Sequence, residues 1–324
     1  MKAKFVYWLA LAAIAAATAA IIILPGPGDS HAPISENGTI RFCFTMQEDC
    51  ESVIAGMIGA SKSAAAALYD VDSEKIRSAL EEKGADVLVF EDNYEGYGQK
   101  VSSKGLMHDK FYILTGVNGT DYVITGSTNP TANDFRKNDN NVVIISSPTL
   151  VGNYRDEFNE IKSGAEGRKT QDTKIIFNGF EIENYFCPED RCEAQVLEEI
   201  GSANESIRFM AFSFTSDVIG SAIAKKAREG VLVRGIFDKS QVSANGKYSE
   251  YGKLYKAGID VAIEQNPGKL HHKVFIIDDR TVITGSYNPT GSGNTRNDEN
   301  ILIIHDNSAA GIFTGEFNRL HPAH

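Results

Sequence analysis

Two short histidine–lysine motifs carry the residue types that attack on a phosphate ester requires. The second motif, His271-x-Lys273, opens an apolar run, and residues two apart on a strand point to the same face. A neutral imidazole can attack phosphorus, while lysine ammonium and asparagine amide groups stabilise the anionic transition state. The polar residues that follow this motif are Asp278, Ser286, Asn288 and Glu299. This set predicts a site for phosphodiester chemistry that needs neither a metal nor another cofactor.

The first half of the chain repeats this set with two departures. Its candidates are His108, Lys110, Ser127 and Asn129. Thr115 stands where the second half has Asp278, and Asn140 stands where it has Glu299. One histidine cannot act as nucleophile and as acid in the same step, so we expect the two copies to face each other across a pseudo-twofold axis. Because only the second copy has both carboxyl groups, the two histidines are expected to differ in pKa and in role.

Sequence similarity between the halves extends well beyond these motifs. Residues 122–131 read YVITGSTNPT, and residues 281–290 read TVITGSYNPT. The two repeats are predicted to span residues 39–162 and 173–319, joined by a polar linker at residues 163–172. In each half, short β-rich runs alternate with helical stretches, which predicts an α/β fold with mixed sheets flanked by helices.

The pattern HxKx4D followed by GSxN resembles the signature of the phospholipase D superfamily. In the second half it is carried by His271, Lys273, Asp278, Gly285, Ser286 and Asn288. The resemblance covers nearly all of residues 39–319, and the second half is most similar to small phospholipase-D-type endonucleases and mitochondrial cardiolipin hydrolase. It implies two phospholipase-D-like repeats packed as a pseudo-twofold pair, a covalent phosphohistidine intermediate, and lipid or nucleic-acid phosphodiesters as substrates.

The predicted site residues combine this signature with its repeat in the first half and with Glu299. They are His108, Lys110, Ser127, Asn129, His271, Lys273, Asp278, Ser286, Asn288 and Glu299. The resemblance also implies that His108 is the nucleophile and His271 the acid, whereas the better-supported second half argues for the reverse, so the assignment stays open. The residues interpreted as surface or tail histidines are His31, His272, His305, His321 and His324. Those interpreted as core aromatics are Phe209, Phe212 and Phe214.

The amino terminus has the pattern of an export signal. Two lysines precede an unbroken apolar stretch at residues 5–24. Residues 1–24 are predicted to be a cleaved signal peptide or a retained membrane anchor, and residues 25–38 a linker. Cysteine usage agrees with export, because Cys43 with Cys50 and Cys187 with Cys192 form local pairs suited to disulfides in an oxidising compartment. A four-cysteine zinc site is the alternative, but no CxxC spacing supports it.

These features predict an exported, extracytoplasmic phosphodiesterase that is secreted or held at a membrane by residues 5–24. The net charge is −11, from 32 lysines and arginines against 43 aspartates and glutamates, and such a surface repels polyanions at long range. A phospholipid substrate is therefore favoured. An extracytoplasmic endonuclease is the alternative function, and an inactive phosphate-binding module is the third. No obligate protein partner is evident.

Overall fold

In the computed structural model, which describes residues 34–165 and 167–321, the two repeats share one series of strands and helices, to which the second adds one strand and two short helices. A short strand, β1 (Ile34–Glu36), precedes them. The first repeat consists of β2 (Ile40–Phe44), α1 (Cys50–Ala60), β3 (Ser63–Leu68), α2 (Glu74–Glu82), β4 (Asp86–Phe90), β5 (Gln99–Val101), β6 (Lys110–Val117), β7 (Thr120–Gly126), α3 (Ala132–Arg136), β8 (Asn141–Ile145) and α4 (Pro148–Ser163). The second consists of β9 (Lys174–Phe177), β10 (Phe180–Cys187), α5 (Cys192–Ser202), β11 (Ser206–Ala211), α6 (Asp217–Arg228), β12 (Leu232–Phe237), α7 (Lys239–Asn245), α8 (Glu250–Lys256), β13 (Asp260–Ile263), β14 (Lys273–Ile277), β15 (Thr281–Gly285), α9 (Gly291–Thr295), β16 (Glu299–His305) and α10 (Asn307–Leu320).

Each repeat forms one mixed sheet with the same strand order. The orders are β2-β8-β7-β6-β3-β4-β5 and β10-β16-β15-β14-β11-β12-β13, and β9 and β1 extend the second sheet beyond β10. β3 is parallel to β4 and antiparallel to β6, as β11 is to β12 and β14. The predicted fold class is thereby confirmed. One boundary differs, because β1 pairs in parallel with β9, and residues 34–36 therefore belong to the second sheet instead of the predicted linker.

One hydrophobic core is shared by the two repeats. Phe111 of β6 contacts Tyr154 of α4, and Tyr154 in turn contacts Phe186 of β10, with ring centroids 5.0 Å and 4.9 Å apart. Phe44 of β2 packs in the same way against Phe313 of α10, with centroids 5.3 Å apart. Separate clusters under α1 and α2 and under α5 and α6 cover the outer faces of the two sheets. The repeats are therefore one body held by aromatic contacts between them.

Equivalent segments of the two repeats meet in pairs along a seam. Met107 forms a short parallel bridge to Asp298, and Leu270 forms the matching bridge to Asp139. These two bridges join the loop before β6 to the loop before β16, and the loop before β14 to the loop before β8. The seam therefore has the predicted pseudo-twofold symmetry.

The two predicted local disulfides are present. Cys43 at the end of β2 is bonded to Cys50 at the start of α1, and Cys187 is bonded to Cys192 at the equivalent place in the second repeat. All four cysteines are consumed in this way, so the alternative four-cysteine zinc site is not formed. Each bond closes a short loop and is expected to stabilise the fold by about 2 kcal/mol.

The predicted export segment, residues 1–24, lies outside the described residues, and so does the linker as far as residue 33. Among residues 34–165 and 167–321, no helix is both long and apolar enough to cross a membrane.

Candidate active site

The two motif histidines lie at the seam, and each is bonded to the other repeat. His108 Nδ1 is 2.7 Å from Glu299 Oε2, and His271 Nδ1 is 2.8 Å from Asn140 Oδ1. All four side chains are nearly or fully buried. This pairing corrects the expectation that Glu299 supports the histidine of its own half. The carboxylate of the second repeat instead serves the histidine of the first.

Main-chain hydrogen bonds across the seam fix both histidines. The His108 N–H donates to the carbonyl of Asp298 at 2.9 Å, and the His271 N–H donates to the carbonyl of Asp139 at 2.8 Å. Each accepting residue directly precedes the residue whose side chain contacts the same imidazole, since Asp298 precedes Glu299 and Asp139 precedes Asn140. The backbone that positions each ring is therefore continuous with the side chain that bonds its Nδ1.

Glycines allow the seam loops to approach closely at the ends of β7 and β15. Gly126 has φ +137° and Gly285 has φ +152°, both in the range that disfavours other residues. A Cβ on Gly126 would lie 2.3 Å from the carbonyl oxygen of Asn141, and one on Gly285 would lie 2.1 Å from that of Asn300. The GSxN glycine is thus required by backbone packing.

The serines that follow these glycines hold the partners of the histidines. The Ser127 hydroxyl donates to Asn140 Oδ1 at 2.9 Å. The Ser286 hydroxyl hydrogen-bonds Glu299, and Asn297 Nδ2 donates to Glu299 Oε1 at 3.3 Å. Both serines are fully buried, which places them beneath the site as supporting groups.

Both motif lysines are buried beside the histidines. Lys273 Nζ donates to the carbonyl of His271 at 2.8 Å, and Lys110 Nζ donates in the same way to the carbonyl of His108. Burial lowers the pKa of Lys110 to about 8 and holds the pKa of Lys273 well below its ordinary value. Two ammonium groups are therefore concentrated where an anionic phosphate would relieve their repulsion.

Burial and these lysines also shift the pKa values of His108, His271 and Glu299. Burial, followed by the ammonium groups of Lys110 and Lys273, holds the pKa values of both histidines well below the ordinary range. Burial raises the pKa of Glu299 to about 7, although the two lysines oppose this shift. The imidazoles are accordingly neutral at neutral pH when no phosphate is bound, and the carboxyl group of Glu299 titrates close to neutral pH.

An aromatic ring lies against each histidine. Tyr69 has its ring centroid 4.8 Å from that of His108, and Phe212 lies 4.6 Å from that of His271. The motif lysines sit over these same rings, each with Nζ 4.9 Å from the centroid. Tyr69 was not anticipated, and Phe212 was wrongly assigned to the core because β11 already ends at Ala211. Phe209 and Phe214, predicted core residues, are buried as expected.

The two GSxN asparagines are held differently. Asn129 Nδ2 donates to Asp134 Oδ2 at 2.8 Å, and within the described residues its buried Oδ1 has no hydrogen-bond partner. Asn288 Oδ1 accepts from the main-chain N–H of Ser213 at 3.4 Å. Asp134 is a further site residue that the sequence motifs did not include.

Asp278 does not reach the site. It follows the last residue of β14, whereas Lys273 begins that strand, and five residues of strand separate them by about 16 Å. Its carboxylate accepts the main-chain N–H groups of Asn204, Glu205 and Ser206, each at 2.8 Å. Asp278 therefore ties down the loop before β11, which corrects its assignment as a catalytic residue.

Three histidines interpreted as surface or tail residues are not simply exposed. His272 is fully buried, and its two ring nitrogens each lie 3.1 Å from an acceptor, Asn141 Oδ1 and Glu316 Oε1. His305 is partly buried against Glu183, and His321 is buried. His31 and His324 lie outside the described residues.

The chain is similar to proteins of known families. The family described as "Cardiolipin synthase, PLD-like domain" matches residues 52–162 and 196–321. The chain is 37% identical over 129 residues to a phospholipase D of Rickettsia prowazekii (strain Madrid E), which covers 40% of this chain and 62% of that protein. It is 38% identical over 127 residues to mitochondrial cardiolipin hydrolase of Homo sapiens, covering 39% of this chain and 50% of that protein. Each match thus spans less than two thirds of the relative.

The fold is also found in a solved structure. Phosphatidylserine synthase from Haemophilus influenzae Rd KW20 superposes with a TM-score of 0.64 over 86% of this chain and 84% of that chain. The two sequences are only 12% identical. The likeness therefore concerns the arrangement of both repeats and not their chemistry.

Proposed function

The chain belongs to the phospholipase D superfamily, and we propose that it hydrolyses phosphodiester bonds by a metal-independent two-histidine mechanism. The observation that carries the proposal is the crossed pairing at the seam, which engages the Nδ1 atom of each imidazole with the other repeat. Nε2 is then the reacting atom of each ring. A neutral imidazole, a second imidazole that the bound phosphodiester anion keeps protonated, and two ammonium groups in one buried seam provide a nucleophile, an acid and charge stabilisation.

His108 is the proposed nucleophile. Glu299 accepts its Nδ1–H, which fixes the tautomer with a lone pair on Nε2 and stabilises the positive charge that forms on the ring during attack. His271, bonded to the neutral amide of Asn140, is the proposed acid. The preference for His108 from the superfamily and the better support of the second repeat thus favour the same assignment, because that support crosses the seam.

The proposed reaction has two steps, formation of a phosphohistidine and its hydrolysis. In the first, Nε2 of neutral His108 forms a bond to phosphorus, the bond to the leaving oxygen breaks, and that oxygen takes the proton from Nε2 of protonated His271, which becomes neutral. In the second, His271 removes a proton from water, the water oxygen attacks phosphorus, and the phosphorus–nitrogen bond breaks. Lys110, Lys273 and Asn129 are placed to stabilise the equatorial oxygens in both steps.

Phospholipid is the proposed substrate. The acidic net charge disfavours a nucleic-acid chain, and the relatives compared above are named for lipids. An endonuclease is the second candidate, because the second half resembles small phospholipase-D-type endonucleases. Purified full-length protein should be assayed on phospholipid vesicles and on single-stranded DNA. Cleavage of DNA alone would replace the lipid proposal, and phosphate binding without cleavage of either would indicate the inactive module.

Activity is expected to survive removal of metal ions. The proposed nucleophile, acid and charge-stabilising groups are all side chains of this chain, so no step needs a cation. Turnover should be unchanged within about twofold after dialysis against a chelator, as measured by head-group or nucleotide release. Loss of turnover that a divalent metal restores would contradict the mechanism.

The pH profile is expected to show an acid limb near pH 7. Glu299 titrates there, and its protonation removes the carboxylate that supports His108, so kcat/KM should fall as the pH drops through about 7. Glu299→Gln should lose this limb and lower the plateau by up to about 10⁴-fold, the loss that the same carboxylate-to-amide change causes in a Ser-His-Asp triad. The check is a kcat/KM profile from pH 5 to 9 for both proteins. An acid limb that persists in the variant would assign it to another group.

A further inference from the structure

The second carboxylate of the site comes from a different element than the first. Asp134, on α3, has Oδ2 3.5 Å from His271 Nδ1, the same atom that Asn140 Oδ1 contacts at 2.8 Å. Asp134 is almost completely buried. Its equivalent in the second repeat, by the register of the repeats, is Gly293. Each histidine thus has one carboxylate nearby. The carboxylate beside His108 is that of Glu299, at the start of β16, and the carboxylate beside His271 is that of Asp134, on α3.

We propose that Asp134 is a positioning residue for His271, taking over the role that Glu299 has for His108. This inference rests on the proposed function. It accounts together for two differences between the repeats, Glu299 against Asn140 and Gly293 against Asp134. The carboxylate has moved from the start of the strand to the short helix that precedes it.

Neighbouring contacts are consistent with such a move. Asn297 Nδ2 donates to Glu299 in the second repeat, whereas the equivalent Asn138 Nδ2 donates to Asp134 Oδ1 at 2.6 Å. The same asparagine therefore serves the carboxylate at either place. Space also differs, because a Cβ on Gly293 would lie 2.4 Å from the carbonyl oxygen of Asn288. The second repeat cannot hold a side chain there without rearrangement.

Asp134 additionally fixes the GSxN asparagine of its own repeat. Its Oδ2 accepts both the main-chain N–H and the Nδ2 of Asn129, each at 2.8 Å. One carboxylate thus holds the Asn129 amide and also lies 3.5 Å from Nδ1 of the proposed acid. Four ionisable groups act on His271, namely Lys273, Lys110, His108 and Lys269, and all four oppose its protonation. The carboxylate of Asp134, 3.5 Å from Nδ1, has the charge that would offset them.

Removal of the charge should therefore weaken the acid. In Asp134→Asn, protonated His271 loses its nearby carboxylate, and the alkaline limb of kcat should move to lower pH by about one unit. At pH 8 turnover of a phospholipid should fall about 10-fold. A nitrophenyl phosphodiester, whose leaving group needs little protonation, should be affected less than about threefold. Asn133→Ala, an exposed neighbour on the same helix, is the matched control and should behave as the unmodified protein.

Restoring the carboxylate on the strand provides the rescue. Asp134→Ala should lose activity, and Asp134→Ala/Asn140→Glu should recover most of it, because Ser127 and Asn138 are placed to hold a glutamate as Ser286 and Asn297 hold Glu299. A merely structural role for Asp134 would lower turnover without moving the pH limb and would not be rescued.

A titration that does not depend on turnover separates the two proposals. NMR of histidine-labelled full-length protein should show His271 titrating at lower pH in Asp134→Asn than in the unmodified protein. If the unmodified protein cleaves no phosphodiester but this shift is observed, the function is wrong and the role of Asp134 stands. An unchanged His271 titration, or a folded double variant no more active than Asp134→Ala, would overturn the inference.

Discussion

His108→Ala and His271→Ala are both expected to abolish turnover of a phospholipid, but for different reasons. Without His108 no phosphorus–nitrogen bond forms, and turnover should fall by about 10⁴-fold or more with any leaving group. Without His271 the leaving oxygen lacks its proton donor, which costs about 10²–10⁴-fold. With a nitrophenyl leaving group the His271 variant should therefore complete its first step, and the His108 variant should not.

Rapid quenching and mass spectrometry distinguish these roles. In His271→Ala the phosphorylated enzyme should accumulate, because the base for the second step is also missing, and the phosphate should be on His108. His305→Ala is the control for loss of a histidine outside the site. Phosphate on His271 in the unmodified protein would reverse the assignment. Near-normal turnover by His108→Ala would mean that the first repeat is catalytically idle.

Lys110→Met is expected to inactivate the protein and to stabilise its fold. Loss of the ammonium group removes charge stabilisation of the transition state, and turnover should fall by about 10³-fold. In the folded protein, burial lowers the pKa of Lys110 to about 8, so at pH 7 the fold holds a buried charge. Replacement by methionine, which has a similar length, should raise the free energy of unfolding by on the order of 3 kcal/mol at pH 7.

The stabilisation expected from Lys110→Met should depend on pH. An unfolded chain keeps lysine protonated up to about pH 10.4, whereas the folded protein releases that proton near pH 8. The stability of the unmodified protein should therefore rise between these values, and its difference from Lys110→Met should shrink. Denaturant unfolding at pH 7 and pH 10 measures this, with exposed Lys100→Met as control. Equal or lower stability of Lys110→Met at pH 7 would show that the buried charge is fully compensated.

The sequence was sufficient to place the histidines and lysines. Two matched motifs at the starts of β6 and β14, with apolar strands behind them, required that both sets lie at one edge of their sheets. It was not sufficient to pair Glu299, because separation along the chain does not tell which repeat a side chain faces across a seam. The bridges of Met107 to Asp298 and of Leu270 to Asp139, formed only in the folded pair, decide this.

Two other assignments failed for geometric reasons. Asp278 is part of the motif in the sequence, but the strand between it and Lys273 carries it to the opposite edge of the sheet, where it binds main-chain N–H groups. Phe212 stands between two core aromatics, Phe209 and Phe214, yet β11 ends one residue before it, and its ring lies against that of His271. Asp134 belonged to no motif, and the Gly293 at its repeat position gave the only signal.

The crossed pairing of the histidines has a consequence for descent by duplication. Two copies of the second repeat, arranged as the repeats are here, would give each His271 a Glu299 and rebuild a symmetric site. Two copies of the first repeat would give each His108 an Asn140 and an Asp134 in place of a Glu299. Each repeat supplies a residue that contacts the histidine of the other repeat and not its own. A mutation of Glu299 or Asn140 therefore affects the histidine encoded in the other half of the gene. The second repeat could therefore form a complete site with a copy of itself, whereas the first repeat depends on Glu299 of the second.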